Sequence, residues 1–198
     1  MLLRADFNVP MERGKVKDDF RILGALPTIK YLKEEGAKII IISHLGEDGD
    51  ESLAPVAKVL NEYTPVKFIK KIIGFEVGEA IHEMEDGDMI MLENLRSNEG
   101  EKLNDKAFSA VLASLAEVYV NDAFSVSHRE HASIVGVAKL LPSYAGLQMM
   151  EEIKNLKIAF KPPRPFFFIL GGVKFSTKLP LIENYLDHAD AVFVGGAL

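Results

Sequence analysis

Short runs of consecutive apolar residues alternate along the chain with longer stretches whose apolar positions recur every three or four residues. Residues 37–43 (AKIIIIS), 88–92 (DMIML) and 117–121 (EVYVN) are apolar with little alternation, which predicts strands buried on both faces of a sheet. Between them, residues 21–35, 53–63, 75–84 and 104–115 are amphipathic and predict helices. In the first of these, Ile22, Leu26, Ile29 and Leu32 share one face and Gly36 supplies the stop. Pro27 is awkward inside a helix and predicts a late start or a kink.

Strand and helix in alternation predict an α/β fold: a three-layer, Rossmann-like parallel sheet with helices on both faces. The pattern breaks at residues 149–165. Residues 149–160 (MMEEIKNLKIAF) predict a helix, which Lys161-Pro162-Pro163-Arg164-Pro165 ends. The alternation then restarts with a strand at 166–170, a Gly171-Gly172 turn, a helix at 177–186 and a strand at 191–194 before Gly195-Gly196. The expected organisation is a first domain over 1–148, a connecting helix and linker over 149–164, and the start of a second α/β domain over 165–198. Two strands are too few for an independent sheet, so the second domain is expected to be truncated.

Charge and composition narrow the partners. The net charge of -6 disfavours nucleic acid and anionic membrane, both of which reward a basic face. No apolar run approaches the length of a bilayer span, and Arg4 and Asp6 interrupt any leader-like start. The absence of cysteine removes disulfides, thiolate metal sites and cysteine nucleophiles, and fits a reducing, cytoplasmic setting.

Parallel sheets bind ligands beyond the carboxyl ends of their strands, and polar clusters stand there. Arg4, Asp6 and Asn8 follow the short apolar run that opens the chain at Met1-Leu2-Leu3, His44 and Gly46 the run at 37–43, Glu93, Asn94 and Arg96 that at 88–92, and Asn121, Asp122 and Arg129 that at 117–120. Four of the six arginines (Arg4, Arg21, Arg96 and Arg129) lie in or beside these clusters, although lysines supply most of the positive charge. A guanidinium fork suits phosphate and carboxylate, so the clusters point to a pocket for a small phosphorylated acid; scattered surface pairing is the plain alternative. Asp6 and Asn8 also suit a turn ahead of Pro10. His128 and His131 flank Arg129 without an evident third metal ligand, and structural hydrogen bonding suits them better. Asp122 suits a strand-end cap.

The clusters carry a specific resemblance. ADFNVP at 5–10, DDFRI at 18–22, ALPTIKYL at 25–32, SHLG at 43–46, SLAPVA at 52–57, LENLR at 92–96, VNDAF at 120–124 and HREHAS at 128–133 resemble the signatures of the phosphoglycerate kinases, in that family's order. PFFFILGGVKFSTKL at 165–179 is similar to the start of its nucleotide domain. The resemblance implies that Asp6, Phe7, Asn8, Arg21, His44, Leu45, Gly46, Arg96 and Arg129 bind the substrate, with Arg4 lending positive charge. It implies that Gly171, Gly172, Gly195 and Gly196 bind nucleotide. Lys174 and Lys178 would meet the nucleotide phosphates and, with Arg21, stabilise the migrating phosphoryl group.

The family's reaction is phosphoryl transfer between 1,3-bisphosphoglycerate and ADP, giving 3-phosphoglycerate and ATP. Mg2+ comes with ATP or ADP, and no protein metal ligands are expected. The resemblance further implies a monomer when full length. The missing part of the nucleotide domain keeps open a non-catalytic, phosphoglycerate-binding role for the 198 residues alone. A dinucleotide-dependent oxidoreductase fails on the absence of a GxGxxG turn after the first strand. Two positions depart from the family: Glu47-Asp48 stand where Arg-Pro usually follows SHLG, and Ala197 replaces a third glycine. The first puts a carboxylate where a pocket arginine is expected.

Overall fold

A computed structural model describes residues 1–172 and 179–196, which divide into two compact units, Met1–Glu152 and Ile153–Leu198. In the first unit, β1 (Leu2–Arg4) is followed by a small hairpin of β2 (Met11–Glu12) and β3 (Lys15–Val16) and by α1 (Phe20–Glu34). Then come β4 (Ile39–Ile42), α2 (Ala54–Tyr63), β5 (Lys67–Ile69), α3 (Phe75–His82) and β6 (Met89–Leu92). Two short helices, α4 (Glu99–Lys102) and α5 (Lys106–Ala113), precede β7 (Tyr119–Asn121), β8 (Ser143–Ala145) and α6 (Leu147–Phe160). A π-helical turn, Ala132–Gly136, lies between β7 and β8. The division between the units falls inside α6.

Six strands form one parallel sheet in the order β5-β6-β4-β1-β7-β8, as the sequence pattern predicts. Pairing Leu2 with Ile40 and Tyr119, and Ile40 with Ile90, sets the register. Period-two alternation then sorts the strand residues into two cores. Leu3, Ile39, Ile41, Met89, Met91 and Val120 pack with Ile22, Ile29, Val56 and Leu60 of α1 and α2. Leu2, Ile40, Ile42, Ile90, Leu92 and Tyr119 pack with Val77, Phe108 and Leu112 of α3 and α5. Each fully buried aliphatic side chain is worth about 1.5–3 kcal/mol, so this two-sided burial is what makes four consecutive isoleucines in β4 a stable choice.

Some boundaries differ from expectation. Helix α1 starts at Phe20, whose N–H donates to Asp18 Oδ1 at 2.8 Å, so Pro27 neither delays nor ends it. Its buried face, Ile22, Ala25, Ile29 and Leu32, holds it in spite of the missing N–H. It stops at Gly36, where the Gly36 and Ala37 amides return to the carbonyls of Lys33 and Leu32 at 2.9 and 3.0 Å. The sequence pattern missed β5 and β8, both edge strands of three residues. Lysines interrupt the apolar run at β5, and β8 is wholly exposed, so neither shows the signature of a buried strand.

Asp122 serves as a cap, for the start of α6. Its Oδ1 accepts from the Met149 amide at 3.0 Å, while Thr28 Oγ1 accepts from the Leu147 amide at 2.9 Å. Gly146 makes this approach possible, because a Cβ there would stand 2.2 Å from Asp122 Oδ1. Gly146→Ala is therefore expected to destabilise the fold by about 1–3 kcal/mol, the cost of overpacking a tight site. A urea unfolding midpoint at the wild-type value would show that the cap moves aside freely.

The second unit holds β9 (Phe167–Gly172), α7 (Leu179–Leu186) and β10 (Ala191–Gly196), with the two strands parallel and in register from Phe167↔Ala191 to Gly172↔Gly196. Phe168 stacks on Tyr185 with ring centroids 4.7 Å apart. Asp190 accepts from the Phe166 amide at 2.6 Å and pairs with Arg164, tying the entry to β9 to the entry to β10. The glycines expected to form turns belong instead to the strands, because backbone pairing continues through Gly171↔Gly195 and Gly172↔Gly196.

Candidate functional site

In the first unit β1 lies between β4 and β7, where the chain's crossovers turn from one side of the sheet to the other. The loops leaving β1, β4, β6 and β7 meet at the carboxyl ends of these strands, the place where open parallel sheets bind ligands. A continuous series of polar contacts runs across this edge. Asp6 Oδ2 pairs with Arg21 Nη1 and accepts from Ser125 Oγ at 2.6 Å, while its Oδ1 accepts from the Asn8 amide at 3.3 Å. Asn8 Oδ1 accepts from the Gly46 amide at 3.0 Å, and the Gly46 carbonyl accepts from Arg96 Nη1. Arg96 Nη1 and Arg129 Nη1 then lie 3.2 and 3.7 Å from Glu47 Oε2.

Arg21, Asp6, Asn8, Gly46, Arg96 and Arg129 are thus brought into one network. The Arg96 side chain is 1% exposed, yet its Nε and Nη2 have no hydrogen-bond acceptor among the described residues. Burial lowers the Arg96 pKa from its ordinary value, and Glu47 opposes that shift. Buried donors left unpaired are costly, so this guanidinium is poised for an anion. Arg21, by contrast, is exposed, and Arg129 is half-buried.

Arg4 and His44 form a deeper layer. Arg4 is buried, with Nε donating to Ser133 Oγ at 2.9 Å, Nη1 to the Ala5 carbonyl at 2.6 Å and Nη2 facing His44 Nδ1 at 3.0 Å. All three nitrogens are engaged, so Arg4 sits beneath His44. Burial, reinforced by the charges of Arg4, Arg96, Arg129 and His131, lowers the His44 pKa to about 2. His131 is lowered too, chiefly by burial, although Glu101 opposes the shift from 3.8 Å.

The His44 shift gives stability a pH dependence of definite sign. Unfolded, the ring takes a proton near pH 6.5; folded, it does so only near pH 2. Stability from this difference is complete above pH 6.5 and is lost as pH falls, by up to about 1.4 kcal/mol per pH unit. His44→Gln should flatten the loss seen in urea unfolding between pH 7 and 5 by about that slope. Parallel slopes for variant and wild type would place the acid sensitivity elsewhere.

Phe7 and Leu45 are fully buried, so their side chains anchor the site loops in the core. The Phe7 amide donates to Ser43 Oγ at 2.9 Å, and the Leu45 amide to Asn94 Oδ1 at 3.2 Å. Asn94 also binds the carbonyls of Leu45 and Glu51 through Nδ2, both at 2.8 Å, and so clamps the two ends of loop 46–51. Glu93 accepts from Ser52 Oγ and the Leu53 amide at 2.7 and 2.8 Å, fixing the entry to α2. Ser125 and Glu101 had no signal in the sequence, since serine is common and Glu101 lies in a charged run, while Ser133 was marked only as the last residue of the HREHAS motif. Only the fold makes Glu101 fully buried.

In the second unit, Gly171, Gly172, Gly195 and Gly196 end two neighbouring parallel strands at their carboxyl edge. Lys174 and Lys178 lie outside the described residues. Among the described residues no three His, Asp or Glu side chains are gathered in a way that could hold a metal ion. None of the described helices is long and apolar enough to cross a membrane.

Comparisons with known proteins converge on one family. A family model described as phosphoglycerate kinase matches residues 1–198. Phosphoglycerate kinases of Dictyoglomus turgidum and Coprothermobacter proteolyticus are 48% and 46% identical to the chain, the matches covering 100% of it and 52% and 53% of theirs. The chain therefore spans about half the length of these curated relatives. The crystal structure of phosphoglycerate kinase from Pyrococcus horikoshii OT3 matches with a TM-score of 0.91 at 36% identity, covering 98% of this chain and 52% of that one. The Coxiella burnetii phosphoglycerate kinase structure gives 0.84 at 38% identity, covering 98% and 51%.

Proposed function

The chain belongs to the phosphoglycerate kinase family, and from that premise we propose that its first unit binds 3-phosphoglycerate or 1,3-bisphosphoglycerate at the arginine-lined strand ends. The observation that carries this reading is the buried Arg96 guanidinium, with two unclaimed donors, beside Arg129. Its planar fork suits a phosphate or carboxylate, and neutral His44 adds a hydrogen-bonding group without a further charge. Arg21 stands at the solvent edge, oriented by Asp6 and Ser125, where it can meet the more mobile end of the substrate.

The reaction assigned to the whole protein is phosphoryl transfer from the acyl phosphate of 1,3-bisphosphoglycerate to ADP. An ADP phosphate oxygen attacks phosphorus, the bond to the acyl oxygen breaks, and 3-phosphoglycerate leaves as a carboxylate. In reverse the attacking carboxylate is already ionised at neutral pH, so no general base is needed. The protein's task is to align two anions and spread the charge of the group in flight. Arg21, Lys174 and Lys178 are assigned to that charge, and Gly171, Gly172, Gly195 and Gly196 to ATP or ADP. Mg2+ would arrive on the nucleotide phosphates and help neutralise them. A cytoplasmic, monomeric protein, its domains joined through residues 149–164, completes the proposal.

Calorimetric titration of 3-phosphoglycerate into the 198-residue chain tests the binding step. Saturable binding that weakens with added salt is expected, because the contacts are ionic. A folded chain that takes up no ligand at millimolar concentration would overturn the assignment.

A further inference from the structure

Behind His44 lies a set of buried polar groups to which the proposed binding gives no role. Arg4, at the end of β1, faces His44 with Nη2 3.0 Å from Nδ1. Its Nε donates to Ser133 Oγ at 2.9 Å, in the π-helical turn. Ser133 Oγ stands 2.6 Å from Glu101 Oε1, and the Ser133 amide donates to Glu101 Oε2 at 2.9 Å. Tyr119 Oη holds the same residue by donating to the Ser133 carbonyl at 2.6 Å. Arg4 is 1% exposed, His44 2%, and Ser133 and Glu101 0%.

Hydrogen-bond direction in this set is determined by chemistry. A guanidinium has donors and no acceptor, so His44 Nδ1 must accept from Arg4. A neutral imidazole that accepts at Nδ1 carries its hydrogen on Nε2. The same logic runs the other way along the chain. Ser133 Oγ accepts from Arg4 Nε, which leaves its own hydrogen for Glu101 Oε1, and the second carboxylate oxygen takes the Ser133 amide. The three Arg4 nitrogens and the Ser133 hydroxyl and amide all meet acceptors only if Glu101 accepts at both oxygens and His44 Nδ1 is bare. Turning the ring over would set a carbon-bound hydrogen against Arg4 and leave a buried donor unpaired, which the fold penalises.

We propose that Glu101, Ser133 and Arg4 form a positioning relay that locks His44 as its Nε2–H tautomer, so that the ring presents a hydrogen-bond donor. Arg4 acts through His44 and is itself no ligand of the substrate. Charge balance supports the arrangement: the buried Arg4 cation is matched, through one hydroxyl, by the buried Glu101 carboxylate. The relay gives the Ser133 hydroxyl its role, since a hydroxyl can accept from Arg4 and donate to Glu101 at the same time. That the donated hydrogen meets an oxygen of phosphoglycerate rests on the binding reading above; the tautomer itself does not.

The test separates the two. Long-range 1H–15N spectra of histidine-labelled, ligand-free protein at pH 7 report which ring nitrogen of His44 carries hydrogen. Wild type is expected to show hydrogen on Nε2 alone, and Ser133→Ala to admit the Nδ1–H form. In the same pair 3-phosphoglycerate affinity should fall about three- to tenfold, the loss of roughly one hydrogen bond. Ser133→Thr keeps the hydroxyl and should restore both readouts. Hydrogen on Nδ1 in the wild type overturns the relay whether or not any variant folds. A loss of affinity in Ser133→Ala with the His44 spectrum unchanged also overturns it, leaving Ser133 a packing residue. Failure of 3-phosphoglycerate to bind a protein with the expected His44 spectrum would count against the binding reading alone.

Discussion

Replacing Arg96 by alanine is expected to weaken 3-phosphoglycerate binding by about 10- to 100-fold, the range for one or two charge-assisted hydrogen bonds. The guanidinium is almost wholly buried and directs Nε and Nη2 at no acceptor among the described residues, while Nη1 holds the Gly46 carbonyl. In the free protein the two unclaimed donors are a cost, which an anion in the pocket turns into two good bonds. Binding and stability should therefore part company. Arg96→Met, which keeps volume, is expected to bind as weakly as the alanine variant while unfolding within about 1 kcal/mol of wild type, because a desolvated charge is lost along with its contacts. Arg96→Lys should recover only part of the affinity, since an ammonium lacks the fork. Calorimetric titration and urea unfolding of the three variants check this. Affinities within twofold of wild type would show that Arg96 is structural.

What the sequence showed of this site was its strand ends. Four buried strands with polar residues just beyond them place Asp6, Asn8, His44, Arg96 and Arg129 on one edge without any coordinates, because a parallel sheet aligns all its carboxyl ends. What lies beneath that edge was hidden, for a physical reason. Arg4 reads as one more pocket cation, and only packing density reveals that Ser133 and Glu101 use up its donors. Glu101 sits among charged residues in EGEK, where a solvated face is the ordinary outcome; the contact with Ser133 of a distant turn is what buries it. Edge strands β5 and β8 escaped for the opposite reason, since they bury too little to leave an apolar trace. Phe7 and Leu45 stand inside ligand-like motifs but face the core, which shows that a motif marks a loop and not each side chain in it.

Glu47 is where sequence and geometry meet most sharply, and its replacement should raise affinity. A carboxylate stands where the family resemblance leads one to expect an arginine, and it bridges Arg96 and Arg129. The loop that carries it is clamped at both ends by Asn94. At its middle Gly49, with φ of +89°, presses on the Arg96 backbone so closely that a Cβ would meet the Arg96 carbonyl oxygen at 2.2 Å. Glu47 thus occupies the two guanidiniums as an internal anion, and a substrate must displace it. Its side chain is 70% exposed, so each pairing is worth about 0.2–1 kcal/mol, with the buried Arg96 toward the upper end. Glu47→Gln should accordingly tighten 3-phosphoglycerate binding by about 2- to 30-fold, and Glu47→Arg by more, because it adds a cation as well as removing the competitor. Salt dependence gives a second, independent sign. In the wild type the substrate anion replaces the Glu47 carboxylate, so less net charge is neutralised; in either variant the full attraction is exposed to screening, and the fall in affinity with salt should be steeper than in the wild type. Titrations of the three proteins at two ionic strengths decide the matter. Equal affinities at both would mean that Glu47 leaves the arginines whenever the pocket fills, at no energetic cost.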